Sequence, residues 1–150
     1  MKIANYSTTV TALKSVRELQ GILVAHGAKS ILMDYSNGEP IGLSFTVGTP
    51  YGDTPFRLPA NIDKVQRVLN NQRVRTMVDR EFASRVAWRI LKDWVRAQIA
   101  ILESEMVSID QVFLPYMQVK DGQILYEVML DHRLQLPEGS EEGERKGKVN

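Results

Sequence analysis

Residues 30–48, SILMDYSNGEPIGLSFTVG, alternate apolar and polar side chains on either side of one Asn-Gly pair. Ile31, Met33 and Tyr35 share one face of an extended segment, and Ile41, Leu43, Phe45 and Val47 share one face of the next. Successive side chains of a strand point to opposite faces, so this period of two gives each segment one apolar side. Asn37-Gly38 supplies the positive-φ residues that a two-residue type I′ turn needs, and the stretch predicts an antiparallel hairpin.

Working outward, TPYGDTP predicts a second turn leading to a short third strand around Phe56 to Leu58. Its bracketing prolines, Pro55 and Pro59, suit an edge strand because proline has no N–H to give to a ladder. Upstream, Val10, Leu13, Val16, Leu19 and Ile22 or Leu23 recur at steps of three and four, which predicts a helix capped by Thr8 or Thr9 and stopped near Gly27. Downstream, Asn61 is placed to cap a short helix, and a long helix is expected from about Asp79 to Met106. SIDQVFLPYM reads as a short helix capped by Ser108 and disturbed by Pro115, and QILYEVMLDHRL as one more helix in preference to a strand. The fold class expected is α+β: an N-terminal helix, a three-stranded antiparallel sheet, then three or four helices, one of them long, basic and amphipathic.

With 150 residues, 43% hydrophobic and 25% charged, the chain has enough apolar material for one domain, expected over residues 1–136. Residues 137–150, PEGSEEGERKGKVN, hold a single aliphatic side chain and are expected to form a disordered tail. The absence of cysteine excludes disulfides, thiolate chemistry and cysteine-based zinc sites. No stretch has the apolar run of a signal peptide or of a membrane span, so a soluble, cytoplasmic protein is expected.

The net charge of +1 conceals an asymmetry, because residues 64–97 carry nine Lys or Arg against three carboxylates. Within RVAWRILKDWVRAQ, residues 85–98, Arg85, Arg89, Lys92 and Arg96 fall within about 60° of one another on a helical wheel. That stripe is either an anion-binding face or an ordinary solvated face carrying i,i+4 pairs such as Glu81–Arg85 and Arg89–Asp93. Trp88 and Trp94 lie on two apolar lines of the same helix and are read as core, with base stacking beside the arginines as the alternative.

On the second strand, the face opposite the apolar one is Gly42, Ser44, Thr46 and Gly48. Small uncharged residues there predict close approach by a helix of the same chain, a ligand or another subunit, so Ser44 and Thr46 are candidates for a ligand or subunit face and self-association is expected. Arg57, fixed between two prolines, is a candidate anion clamp. The spacing in GTPYGDTP does not match a phosphate-cradling loop. His26 and His132 have no partner at metal-ligand spacing, and neither a metal nor another cofactor is called for. Asp34, Asp53 and His132 would be the groups of a small hydrolase, but no pairing between them is legible.

TPFRLPAN and RVAWRILKDWVRAQ, within a likeness spanning roughly residues 1–135, resemble segments of small uncharacterised proteins encoded by phages and prophages. The resemblance implies a mobile-element origin and a bacterial host cytoplasm, and carries no catalytic residue. Three functions are thus held open: a non-enzymatic nucleic-acid-binding accessory protein with single-stranded DNA favoured, an inhibitor capturing a host defence protein or a small anionic signal, and a small hydrolase. For the first, the candidate contacts are Arg57, Arg85, Arg89, Lys92 and Arg96.

Overall fold

The computed structural model describes residues 2–6, 8–72 and 78–132. Asn37 and Gly38 have φ of 50° and 77°, so both centre residues of the hairpin turn are left-handed, as a type I′ turn requires. They join β1 (Ser30–Ser36) to β2 (Glu39–Thr49), and β3 (Gly52–Pro59) completes an antiparallel sheet in the order β1-β2-β3. Ile31 faces Phe45, which faces Phe56, and Met33 faces Leu43, which faces Leu58; the register therefore lines the apolar residues of all three strands on one side.

Two details depart from the sequence expectation. The β1–β2 pairing shifts between Asp34 and Tyr35, which sets Tyr35 opposite Pro40 and leaves it exposed instead of among Ile31 and Met33. β3 is also longer than Phe56–Leu58; Pro55 and Pro59 both lie within it, on the sheet edge where a missing N–H is harmless. Part of that edge is occupied, because the Gln118 N–H donates to the Pro55 carbonyl at 2.8 Å.

α1 (Ala12–Ala25) is capped by Thr11, whose hydroxyl accepts from the Lys14 N–H, and not by Thr8 or Thr9. Starting later rotates the buried face: Ser15, Val16, Leu19 and Leu23 are inside, while Leu13, expected in the core, is 59% exposed. After the sheet come α2 (Ile62–Asn71) capped by Asn61, α3 (Arg80–Glu103) capped by Asp79, α4 (Ile109–Val112) and α5 (Leu125–His132). Pro115 sits in a single 3₁₀ turn at 114–116, where it interrupts helix, and the helix preferred for QILYEVMLDHRL forms over Leu125–His132, while Gln123 and Ile124 ahead of it are not helical. The tail expected at 137–150 lies outside the described residues.

The core is the apolar side of the sheet packed against α1 and α3. Phe45 and Phe56 stack at 5.4 Å between ring centres, and Phe113, from the turn after α4, meets both edge-on. The first half of α3 is buried nearly all round, on Phe82, Ala83, Ser84, Val86, Ala87 and Trp88. Three of those six are small, which lets α1 and α2 approach its axis closely. Trp88 is fully buried, and its indole N–H donates to the Pro40 carbonyl at 3.0 Å, tying α3 to the start of β2.

Candidate functional site

The basic stripe of α3 lies along the seam where α3 packs on α1. Arg89 and Arg96 are on it as expected, but Lys92 is not a surface contact: it is 1% exposed. Its ammonium sits 3.0 Å from Glu18 of α1 and 3.4 Å from Asp93. Arg96 reaches the same Glu18 at 3.8 Å, Arg89 reaches Asp93 at 3.7 Å, and Arg85 reaches Glu81 at 3.3 Å. Asn5, ahead of α1, donates to the other Asp93 oxygen at 2.9 Å. A helical wheel cannot separate Lys92 from its neighbours, because the carboxylate that buries it is 74 positions away.

The carboxylates respond to these cations. The hydrogen bond from Lys92, helped by the charges of Lys92, Lys14 and Arg89, holds the Glu18 carboxyl below its ordinary value. Partial burial pushes Asp93 up, but the Asn5 hydrogen bond and the charges of Lys92 and Arg89 outweigh it and the net shift is downward. A carboxyl with a lowered folded pKa contributes stability that is complete above its unfolded value and is lost as pH falls through the folded one. Thermal unfolding followed from pH 7 down to pH 2 is therefore expected to lose stability below about pH 4. A Glu18→Gln/Asp93→Asn variant, less stable at pH 7, is expected to show a shallower loss; equal slopes would count against the seam.

At the amino end of the seam, a groove of about 520 Å³ opens between the start of α1, the Asn37-Gly38 turn and the first turns of α3. Arg80, Ser84 and Arg85 line it from α3, and Thr11 and Ala12 from α1. Ser84 is 3% exposed and its hydroxyl has no hydrogen-bond partner among the described residues; the Arg85 Nε is likewise buried and unpartnered among them. Such atoms carry a desolvation cost that an added acceptor or donor would remove. Arg80 pairs with Glu39 of β2 and Asp63 of α2, so it braces the groove wall. Sequence reasoning singled out Arg85 but neither Ser84 nor Glu18. The signal available for Glu18 was a carboxylate flanking the buried Ser15–Leu19 line of a helix.

The small-residue face of β2 is covered in part by neighbouring side chains, with Gly42 and Ser44 buried and Gly48 exposed. A Cβ on Gly42 would meet Asp34 Oδ2 at 3.4 Å, and one on Gly48 would meet Lys29 Nζ at 3.7 Å. Lys29 in turn pairs with Asp53 at 2.7 Å. Ser44 is buried between the positions of Leu32 and Arg57, and Thr46 is half-buried. Arg57 lies on this outer side of the sheet, 3.8 Å from Glu127 of α5, and so is not brought together with the α3 stripe. Asp34 and Asp53 face Gly42 and Gly48, six β2 positions or about 20 Å apart, and form no pair. His26 caps α1, its ring bonding the Ile22 carbonyl at 2.8 Å and Glu103 at 3.0 Å, contacts that raise its pKa in that order of importance.

Comparison of the chain with protein-family models, curated proteins and solved structures gives no match. Among the described residues no helix is long and apolar enough to cross a membrane.

Proposed function

We propose that the protein is a non-enzymatic nucleic-acid-binding accessory protein, with single-stranded DNA its favoured ligand, and that the open edge of the α1–α3 seam meets the phosphates. The observation that carries this reading is the excess of cation there. Lys14, Arg85, Arg89, Lys92 and Arg96 are set against Glu18, Glu81 and Asp93, leaving a surplus of two positive charges. Arg85 to Arg96 spans eleven residues, roughly 16 Å of helix, long enough to follow a strand over more than one phosphate. Lys92 serves this surface as the buried post that fixes Glu18 and Asp93, and through them Arg96 and Arg89. The resemblance of TPFRLPAN and RVAWRILKDWVRAQ to phage and prophage proteins supports a setting in a mobile element and its bacterial host.

A second reading, capture of a small anion, is favoured by one observation: the unpartnered Ser84 hydroxyl and Arg85 Nε beside the groove at the start of α1. Fluorescence anisotropy with single-stranded DNA, duplex DNA and RNA at two salt concentrations tests the first reading and separates it from the second. Binding of a strand is expected to weaken steeply with salt, log affinity falling by about 0.7 per phosphate neutralised for each decade of salt. Absence of binding to all three at low salt, with inorganic phosphate still protecting the protein against thermal unfolding, would overturn it in favour of anion capture.

A further inference from the structure

A second groove, of about 350 Å³, runs between α2, α3 and the end of β3, away from the α1–α3 seam. Leu58, Val65, Ile90, Leu91, Trp94 and Tyr116 form its apolar walls. Its volume falls in the range of about 300–1,000 Å³ typical of small-molecule sites. The only charged side chain on its rim is Lys64, which is exposed and has no ion-pair partner among the described residues.

Trp94 differs from Trp88 in two respects that bear on a ligand. It is half-buried, and its indole N–H, unlike that of Trp88, makes no hydrogen bond among the described residues. Its ring is nevertheless held in place, meeting Phe113 at 5.6 Å and Tyr116 at 5.5 Å, both edge-on. A fixed aromatic ring needs little ordering when another ring packs on it, so its contribution to binding is not spent on immobilising the wall. Beside it, the Asn61 Oδ1 already accepts from the Lys64 N–H at 3.4 Å, which leaves the Asn61 amide NH₂ as a further donor. The groove therefore combines apolar walls with polar donors at its edge, an ammonium and an amide.

We infer that this groove binds a flat aromatic ring carrying one anionic substituent, the ring lying among Trp94, Leu91 and Val65 and the anion at Lys64. The ligand class follows from charge complementarity: among the described residues the rim offers one unpaired cation and no carboxylate. The inference is independent of nucleic-acid binding at the seam, since Arg85, Arg89 and Arg96 take no part in the groove.

The probes are 1-anilinonaphthalene-8-sulfonate and its neutral counterpart N-phenyl-1-naphthylamine, followed by fluorescence on the folded full chain. The sulfonate is expected to bind saturably at one site and more tightly than the neutral dye. Lys64→Glu is expected to weaken the sulfonate by about tenfold, as loss of a charge-assisted contact does, and to leave the neutral dye and the thermal midpoint unchanged. Trp94→Leu is expected to weaken both dyes, with circular dichroism reporting whether the fold persists; if it does not, Lys64→Glu alone decides. Equal sulfonate binding by wild type and Lys64→Glu, or equal affinity of wild type for the two dyes, would overturn the proposal.

Discussion

Replacing Trp88 by alanine is expected to destabilise the protein by about 3–5 kcal/mol, the cost of deleting a fully buried large aromatic side chain. Net stabilities of domains this size are about 5–15 kcal/mol, so about a fifth of the total or more is at stake. The loss has two parts. The cavity left in the hydrophobic core forfeits packing, and the Pro40 carbonyl loses the indole donor that now lies 3.0 Å away. Trp88→Phe separates them, since it keeps most of the volume and leaves only the carbonyl unpaired, an effect of about 1–3 kcal/mol. Urea unfolding followed by circular dichroism measures both. A Trp88→Ala protein within about 1 kcal/mol of wild type would show that this side chain is not the anchor between α3 and β2.

The second large effect is expected at Lys92, where charge and not volume decides. Lys92→Glu places a third carboxylate beside Glu18 and Asp93 in a site that is 1% exposed. An uncompensated buried charge costs about 3–5 kcal/mol, so this variant is expected to be at the edge of folding at neutral pH. Lys92→Met keeps the aliphatic stem and removes the desolvation cost of the ammonium, and the carboxylates it leaves without their cation, Glu18 and Asp93, are partly exposed to water, so it is expected to lose much less stability than Lys92→Glu. A methionine variant as damaged as the glutamate variant would mean that the ion pair itself, and not the avoidance of an unpaired charge, holds α1 on α3. The same comparison read against pH adds a check: without Lys92, Glu18 and Asp93 lose the cation that lowers them, and the acid loss of stability below about pH 4 is expected to flatten.

What could be read from the sequence was what is decided locally. Asn37-Gly38 can make only a few turns, and it fixed the β1–β2 hairpin. The caps Asn61 and Ser108 are short polar side chains placed just ahead of helical periodicity, and both stand at helix starts; Asp79, read as the approximate start of the long helix, is its cap. Thr8, Thr9 and Thr11 are chemically equivalent caps a few residues apart, so local chemistry could not choose among them, and the choice of Thr11 moved Leu13 to the surface. Tyr35 was misplaced because one shift of register turns a strand residue to the other face.

The candidate surfaces were legible only in part, because each depends on pairs distant in sequence. The residue type and spacing of Arg85, Arg89, Lys92 and Arg96 marked the stripe. Its division into partly exposed arginines and one buried lysine depends on Glu18, and the cover over Gly42 depends on Asp34 across the β1–β2 pairing. The walls of the aromatic groove come from β3, α2, α3 and the turn at Pro115, which no single window of sequence contains.

The salt dependence of single-stranded DNA affinity, compared among wild type, Lys92→Met and an Arg85→Ala/Arg89→Ala/Arg96→Ala variant, tests most directly whether the seam is a nucleic-acid surface built on a buried lysine. If three open arginines each neutralise one phosphate, the triple variant lowers the slope of log affinity against log salt by about two units, while Lys92→Met, which removes no phosphate contact, leaves it unchanged. A slope indifferent to the three arginines, or one that falls with Lys92→Met as it does with an arginine, would contradict it.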